Sequence, residues 1–155
     1  MKRIILLLLP IFVLFTSCED NRRQGLCDDT IYLVKNGKQE VVISRDEPTT
    51  VAIWATKAGY MKQTVNVVYT VDEQALEGTG YTLVPENCYS VSGWNFSISE
   101  VGGFAKFNVT FNPDRIIASG ITEKIALPLR ITTDGAEVIE GKDLSIVVVS
   151  LEPEE

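Results

Sequence analysis

The sequence predicts an all-β domain: a Greek-key, immunoglobulin-like β-sandwich of seven to nine strands with one short helical turn. Three observations predict it. Apolar and polar residues alternate with period two in run after run beyond residue 30, the pattern of strands with one face in a core and one in water. Turn-forming Gly, Pro, Asn and Asp recur about every ten residues, which cuts the chain into short strands. Only one stretch carries both a helix start and a helix stop. Short strands, close turns and almost no helix are satisfied by two packed sheets.

The chain opens differently. Lys2 and Arg3 precede an apolar run from Ile4 to Phe15, broken only by Pro10, and Thr16 and Ser17 lead into Cys18. A short positive region, an apolar run and small residues at a cleavage point form the order of a secretory signal. The run is 12 residues long; a permanent membrane helix needs about 20. Leu14-Phe15-Thr16-Ser17-Cys18 resembles the lipobox of bacterial lipoproteins, with Phe15 where Leu, Val or Ile is usual. The resemblance implies removal of residues 1–17 and attachment of diacylglycerol to the Cys18 thiol. Each buried methylene then adds roughly 0.8 kcal/mol to membrane attachment. Residues 18–29 carry charge, Gly25 and few apolar groups, and read as the lipidated anchor and its tether. Glu19 and Asp20 resemble the surface-export signal of Bacteroidota lipoproteins, which places the domain at the outer membrane, facing the exterior.

The sandwich is expected over residues 30–151. Ile31 to Val34 is a strand, Asn36-Gly37 has the composition of a hairpin turn, and Glu40 to Ser44 is the expected return. Thr50 to Ala55 puts Val51, Ile53 and Ala55 on one face, and Ala52 and Trp54 on the other. Gln63 to Val71 alternates cleanly, with Val65, Val67 and Tyr69 inward. Asp72 to Leu76 is the helical turn, with Asp72 as cap and Gly78 and Gly80 as stops. Pro85 marks an edge or non-strand piece. Trp94, Phe96 and Ile98 alternate in one run, and Phe107, Val109 and Phe111 in the next. Asn112-Pro113-Asp114 ends that second run. Pro128 inside the strand Ala126–Thr132 suggests a bulge or an edge. Leu144 to Val149 reads as a closing strand buried on both faces, and residues 152–155 as a solvated tail. The expected core is Val65, Val67, Tyr69, Trp94, Phe96, Phe107, Val109, Leu129 and Ile131.

Composition narrows the chemistry. The net charge is -7 and there are no basic runs, which argues against nucleic acid as a partner. The chain contains no histidine, so it lacks the usual general base and the commonest neutral metal ligand. Nothing can activate a serine as a His-paired nucleophile would be activated. The adjacent carboxylates Asp28-Asp29, Asp46-Glu47 and Asp72-Glu73 read as solvated turn residues. No Asp-x-Asp-x-Asp spacing marks a calcium loop. The expectation is therefore no enzyme, no catalytic residue, no metal and no cofactor. Cys27 and Cys88 remain beyond Cys18. An extracytoplasmic compartment permits a disulfide between them; two separate thiols are the other reading, and the spacing does not choose.

Several stretches together carry a wider resemblance. They are Val71-Asp72, Tyr81-x-Leu83-x-Pro85-Glu86, Tyr89-Ser90, the run Lys106 to Phe111 and the run Ala126-Leu127-Pro128-Leu129-Arg130-Ile131. With them the chain resembles domain-of-unknown-function family 1735, over about residues 28–150. The family looks like the N-terminal sandwich module of Bacteroidota surface lipoproteins associated with glycan utilisation. Here the segment Glu73 to Gly80 is shorter than in many members. The resemblance implies an accessory role in capturing or organising extracellular glycan, and it carries no established site residue. The alternative is a structural spacer or a protein-interaction subunit of an outer-membrane assembly.

Sugar rings stack on exposed aromatic faces and hydrogen-bond to amides and carboxylates. Trp54, on the face away from Val51 and Ile53, is the first candidate, with Tyr60 as second wall and Asn66 as polar contact. Trp94 shares a face with Phe96 and Ile98 and reads as core. The lipid assignment is tested by feeding cells an alkyne fatty acid: the wild-type protein is expected to label and Cys18→Ala to stay dark, while equal labelling of both would refute it.

Overall fold

The computed structural model describes residues 28–59, 63–100, 102–121 and 124–153. Cys18, Cys27 and Tyr60 lie outside them, so the lipid attachment, one partner of the candidate disulfide and one candidate ligand contact stay as expectations. Among the described residues the strands are β1 (Thr30–Leu33), β2 (Gly37–Ile43), β3 (Thr49–Ala58), β4 (Val65–Val71), β5 (Thr82–Leu83) and β6 (Tyr89–Val91). After them come β7 (Asn95–Ile98), β8 (Phe104–Phe111), β9 (Ile125–Asp134), β10 (Glu137–Val138) and β11 (Leu144–Leu151). Eight of the eleven are four residues or longer, within the expected seven to nine. Sheet A has the order β10-β1-β3-β8-β6; sheet B has the order β2-β11-β9-β4-β7, with β5 added beside β9. Strands far apart in sequence, such as β3 and β8 or β4 and β9, lie side by side, as Greek-key connections require.

The period-two runs face inward as expected. Ile53, Ala55, Phe107 and Val109 from sheet A meet Val65, Val67, Tyr69, Leu129 and Ile131 from sheet B in one core. At its centre Tyr69 stacks on Phe107, with ring centroids 4.6 Å apart at 18°. Phe96 meets both rings edge-on. The Tyr69 hydroxyl donates to the Ala105 carbonyl at 3.3 Å, so the buried phenol is not left unpaired. Its burial pushes the Tyr69 pKa up.

Five expectations are corrected. Asn36-Gly37 is not a hairpin: β1 pairs with β3 and β10 in sheet A, while β2 runs parallel to β11 in sheet B. Gly37, at φ 74°, turns the chain from one sheet to the other; the dipeptide encodes a turn but not which strand is paired next. Pro128 is buried in a central strand rather than at an edge. It stands where one neighbour hands over to another: β4 pairs with β9 down to Leu129, and β5 takes over at Ala126. No ladder bond is needed from residue 128 at that junction, and its carbonyl accepts from Asp72 N at 3.1 Å. Trp94 is 37% exposed. It lies just outside β7, its ring tilted against Phe107 at 5.4 Å, at the margin of the core. Finally, a short helix α1 (Pro113–Ala118) follows β8. Asn112 caps it, accepting from Arg115 N at 3.1 Å, and Pro113 starts it, a signature that was present in the sequence. The expected turn after Asp72 forms as a 3-10 turn, Glu73–Leu76. Asp72 makes no side-chain cap there; its carboxylate is held by Arg130 instead.

Phe107 is fully buried and touches the whole aromatic cluster. Phe107→Ala is expected to lower stability by about 3–5 kcal/mol in urea melts. A loss below about 1 kcal/mol, within the range of a surface change, would show that the facing is wrong.

Candidate functional site

β3 positions the best candidate site. The inner half of its alternation is fixed by the core, so Thr50, Ala52 and Trp54 must face outward. β8 sets Lys106 opposite Trp54 and Phe104 opposite Thr56. β1 sets Tyr32 opposite Thr56 from the other side. The outer face of sheet A therefore gathers three aromatic residues from three strands.

Trp54 is 39% exposed and Phe104 58%. Their rings meet edge to face, with centroids 6.0 Å apart at 89°. The Lys106 ammonium lies 5.2 Å from the Trp54 ring centroid, and that of Lys142 5.2 Å from the Tyr32 ring. Exposed cation–π contacts of this kind contribute about 0.5–1 kcal/mol, enough to orient the rings. The arrangement offers an apolar ring surface, a second ring edge and an ammonium donor, with the Asn108 amide further along β8. Such a set can stack on C–H-rich faces and donate hydrogen bonds to hydroxyls.

The predicted residues fare unequally. Trp54 faces outward as expected. Asn66 is exposed too, but it lies on β4 of sheet B, where the Ser97 hydroxyl donates to its Oδ1 at 2.8 Å. The two sheets' outer faces point in opposite directions, so Asn66 cannot meet a ligand stacked on Trp54. Phe104 and Lys106 are not among the expected site residues. A signal was there: Phe104 has the same parity as Lys106, Asn108 and Thr110, the polar set of β8, so it had to face outward with them.

Several charged residues are structural. Asp29 and Lys57 form an ion pair at 2.8 Å with both side chains fully buried. Asp29 is thus no solvated turn residue. Arg130 donates to Asp72 at 2.7 Å and also bonds Asp143; the Asp72 hydrogen bond, with Asp143 beside it, pushes the guanidinium pKa up. A groove of about 490 Å³ adjoins this triad, lined by Arg130, Thr132, Glu140 and Asp143 among others. Its cation is already engaged by two carboxylates and has little to offer a ligand. Among the described residues no three carboxylate or thiol groups converge on a point that could hold a metal.

Cys88 is a buried thiol whose pKa burial pushes up. It precedes Tyr89, which pairs with Phe111, and Phe111 pairs with Thr49. Thr30, by contrast, pairs with Ala58 at the far end of β3. Cys27 lies outside the described residues, so the disulfide and the separate thiols both remain expectations. Alkylation in denaturant without reductant distinguishes them: separate thiols leave Cys88 open to modification, whereas a disulfide yields a crosslinked peptide joining residues 27 and 88.

A protein-family model for an N-terminal domain matches residues 27–138. Solved structures share the fold. One is a candidate carbohydrate-binding protein from Bacteroides ovatus, 18% identical, aligned over 81% of this chain and 38% of that one, with TM-score 0.61. A multidomain protein from Bacteroides ovatus that includes domain-of-unknown-function family 1735 is 15% identical over 80% of this chain and 45% of that one, TM-score 0.59. The apo Calx CBD1 domain is 11% identical over 82% of this chain and 100% of that domain, TM-score 0.54. At these identities the likeness is one of fold. The chain spans 38–53% of the length of the Bacteroides structures it resembles. No curated protein matches it in sequence.

Proposed function

We propose that this chain, a member of the family whose N-terminal-domain model matches residues 27–138 and similar in fold to a Bacteroides ovatus protein that includes domain-of-unknown-function family 1735, is a non-catalytic accessory of the cell surface. It is anchored through a lipid on Cys18 and helps to capture or organise extracellular glycan. The observation that carries this reading is the exposed Trp54–Phe104 pair with Lys106 beside it. A B. ovatus structure of the same fold, a candidate carbohydrate-binding protein, supports the ligand class. The absence of histidine from the sequence supports a binding role rather than hydrolysis.

The geometry sets the strength of binding. One indole face is available for stacking, Phe104 offers its edge rather than a second parallel ring, and Lys106 must shift aside or donate to a hydroxyl. One stacked ring contributes about 0.5–2 kcal/mol, so binding falls in the micromolar to millimolar range. Avidity from many anchored copies would strengthen it.

A glycan array on the domain from residue 19 onwards, followed by calorimetry on the glycan it returns, tests the reading. Trp54→Ala is expected to weaken binding about 2- to 30-fold while the melting curve stays close to wild type, because the ring is outside the core. Asn66→Ala is expected to leave affinity unchanged. Unchanged affinity in a folded Trp54→Ala protein removes the site. Absence of any glycan binding, with co-purification of an outer-membrane protein, would favour the assembly-subunit alternative.

A further inference from the structure

β3 has ten residues, but its neighbour β1 covers only one end of it: Leu33 pairs with Ala55, and the last bond of that ladder runs from Val34 N to Trp54 O at 2.9 Å. Beyond that point the chain leaves sheet A to become the edge of sheet B. In a strand the N–H and C=O of alternate residues point to the same side. Trp54 O points towards β1, so the backbone groups of Ala52 and Thr50 point the same way, where no strand stands. Lys57 confirms the parity, because its N–H and C=O bond to Gly103 and Gly102 on the β8 side.

The gap is a groove rather than a flat edge. It has a volume of about 550 Å³, with Val41 on the sheet B wall, Val51 on the sheet A wall and Lys35 at its rim. Val41 and Val51 both point inward yet are only partly buried, because no strand closes the sandwich over them. Glu40, also at the rim, is held by Lys38 at 2.7 Å. Lys35 makes no ion pair among the described residues, so the open end of the groove is positive.

We propose that this gap is a strand-addition site for an extended peptide segment of another protein. The added strand runs antiparallel to β3, continuing the ladder that β1 begins. It exchanges backbone hydrogen bonds with Ala52 and Thr50. An apolar side chain opposite Val51 completes the core between Val51 and Val41, and an acidic residue at the strand's first position meets Lys35. Backbone bonds supply affinity and alternate side chains supply selectivity, as in other sheet-edge recognition. The site lies on the edge of β3, distinct from the Trp54 ring on its outer face, and it does not depend on glycan binding.

Amide hydrogen exchange of the protein tests it, with a capped peptide of Asp followed by alternating Thr and Val as probe. In the free protein the Thr50 and Ala52 amides are expected to exchange roughly a hundredfold faster than those of Val51 and Ile53, which bond to β8. Saturating peptide is expected to slow those two amides about tenfold or more. Ala52→Pro deletes an N–H that the fold does not use and is expected to weaken the peptide about tenfold. Lys35→Glu leaves the core alone; it is expected to weaken the Asp-headed peptide and to favour one headed by Lys. Equal exchange of all four amides in the free protein, no protection of Thr50 and Ala52 by millimolar peptide, or full affinity in a folded Ala52→Pro protein would each overturn the proposal. Should Ala52→Pro not fold, loss of the charge preference in Lys35→Glu decides instead.

Discussion

The ion pair between Asp29 and Lys57 is the constraint from which one end of the sandwich is built. Both side chains are shut off from solvent, and an ion taken out of water costs several kcal/mol unless its partners replace the water. Here they do. Lys57 donates to Asp29 and to the Gln63 carbonyl at 2.5 Å. The Asp29 carbonyl accepts from Glu137 N, and Gln63 reaches the Gly135 carbonyl. The start of β1, the end of β3, the approach to β4 and the turn into β10 thus meet at one pair of charges. Gly59 is fixed by the same packing: its φ is 118°, and a Cβ there would lie 2.6 Å from Asp29 Oδ1. Replacing only one partner of such a pair typically costs about 3–5 kcal/mol, since the other charge stays buried alone.

This pair also marks the limit of what the sequence made legible. Each run whose meaning is local could be read. Val65, Val67 and Tyr69 alternate within seven residues, and they face the core. What depends on a distant partner could not be read. Asp29 looked like one of several acidic turn residues because Lys57 is far along the chain. Asn36-Gly37 has the composition of a hairpin, yet its flanking strands pair elsewhere. Trp94 follows the parity of Phe96 but stands at the end of an edge strand, where the inner side already opens to water. Asn66 and Trp54 both face outward, and only the sheet assignment separates them. Phe104 is a partial exception: the polar parity of its own strand places it outward, while its position beside Trp54 comes from the pairing of β8 with β3.

Part of what carries the family resemblance, from Asp72 to Pro85 and from Ala126 to Ile131, forms a clamp within sheet B. Asp72 N bonds the Pro128 carbonyl, Arg130 holds the Asp72 carboxylate, and Val84 N bonds the Ala126 carbonyl. These contacts pin the segment from Asp72 to Val84 across sheet B, where Leu76 packs on Ala126 and Val148. This part of the motif therefore serves the fold.

Both candidate surfaces lie on β3, and this has a geometric consequence. The chain enters the fold at Thr30, beside Ala58, so a lipid-anchored domain would hold that end of β3 towards its tether. The open edge at Thr50 and Ala52 lies towards the other end of the strand, up to about 30 Å away at 3.3 Å per residue. Trp54 sits between the two, on the outer face. A strand added along Ala52 would lengthen sheet A beside the indole and extend the face on which a sugar could stack, without competing for the ring. Peptide and glycan would then share one strand through different atoms, the first through its backbone and the second through its side chains. Coupling between them would run through Ala52 and Ile53, the residues that join the open half of β3 to Trp54.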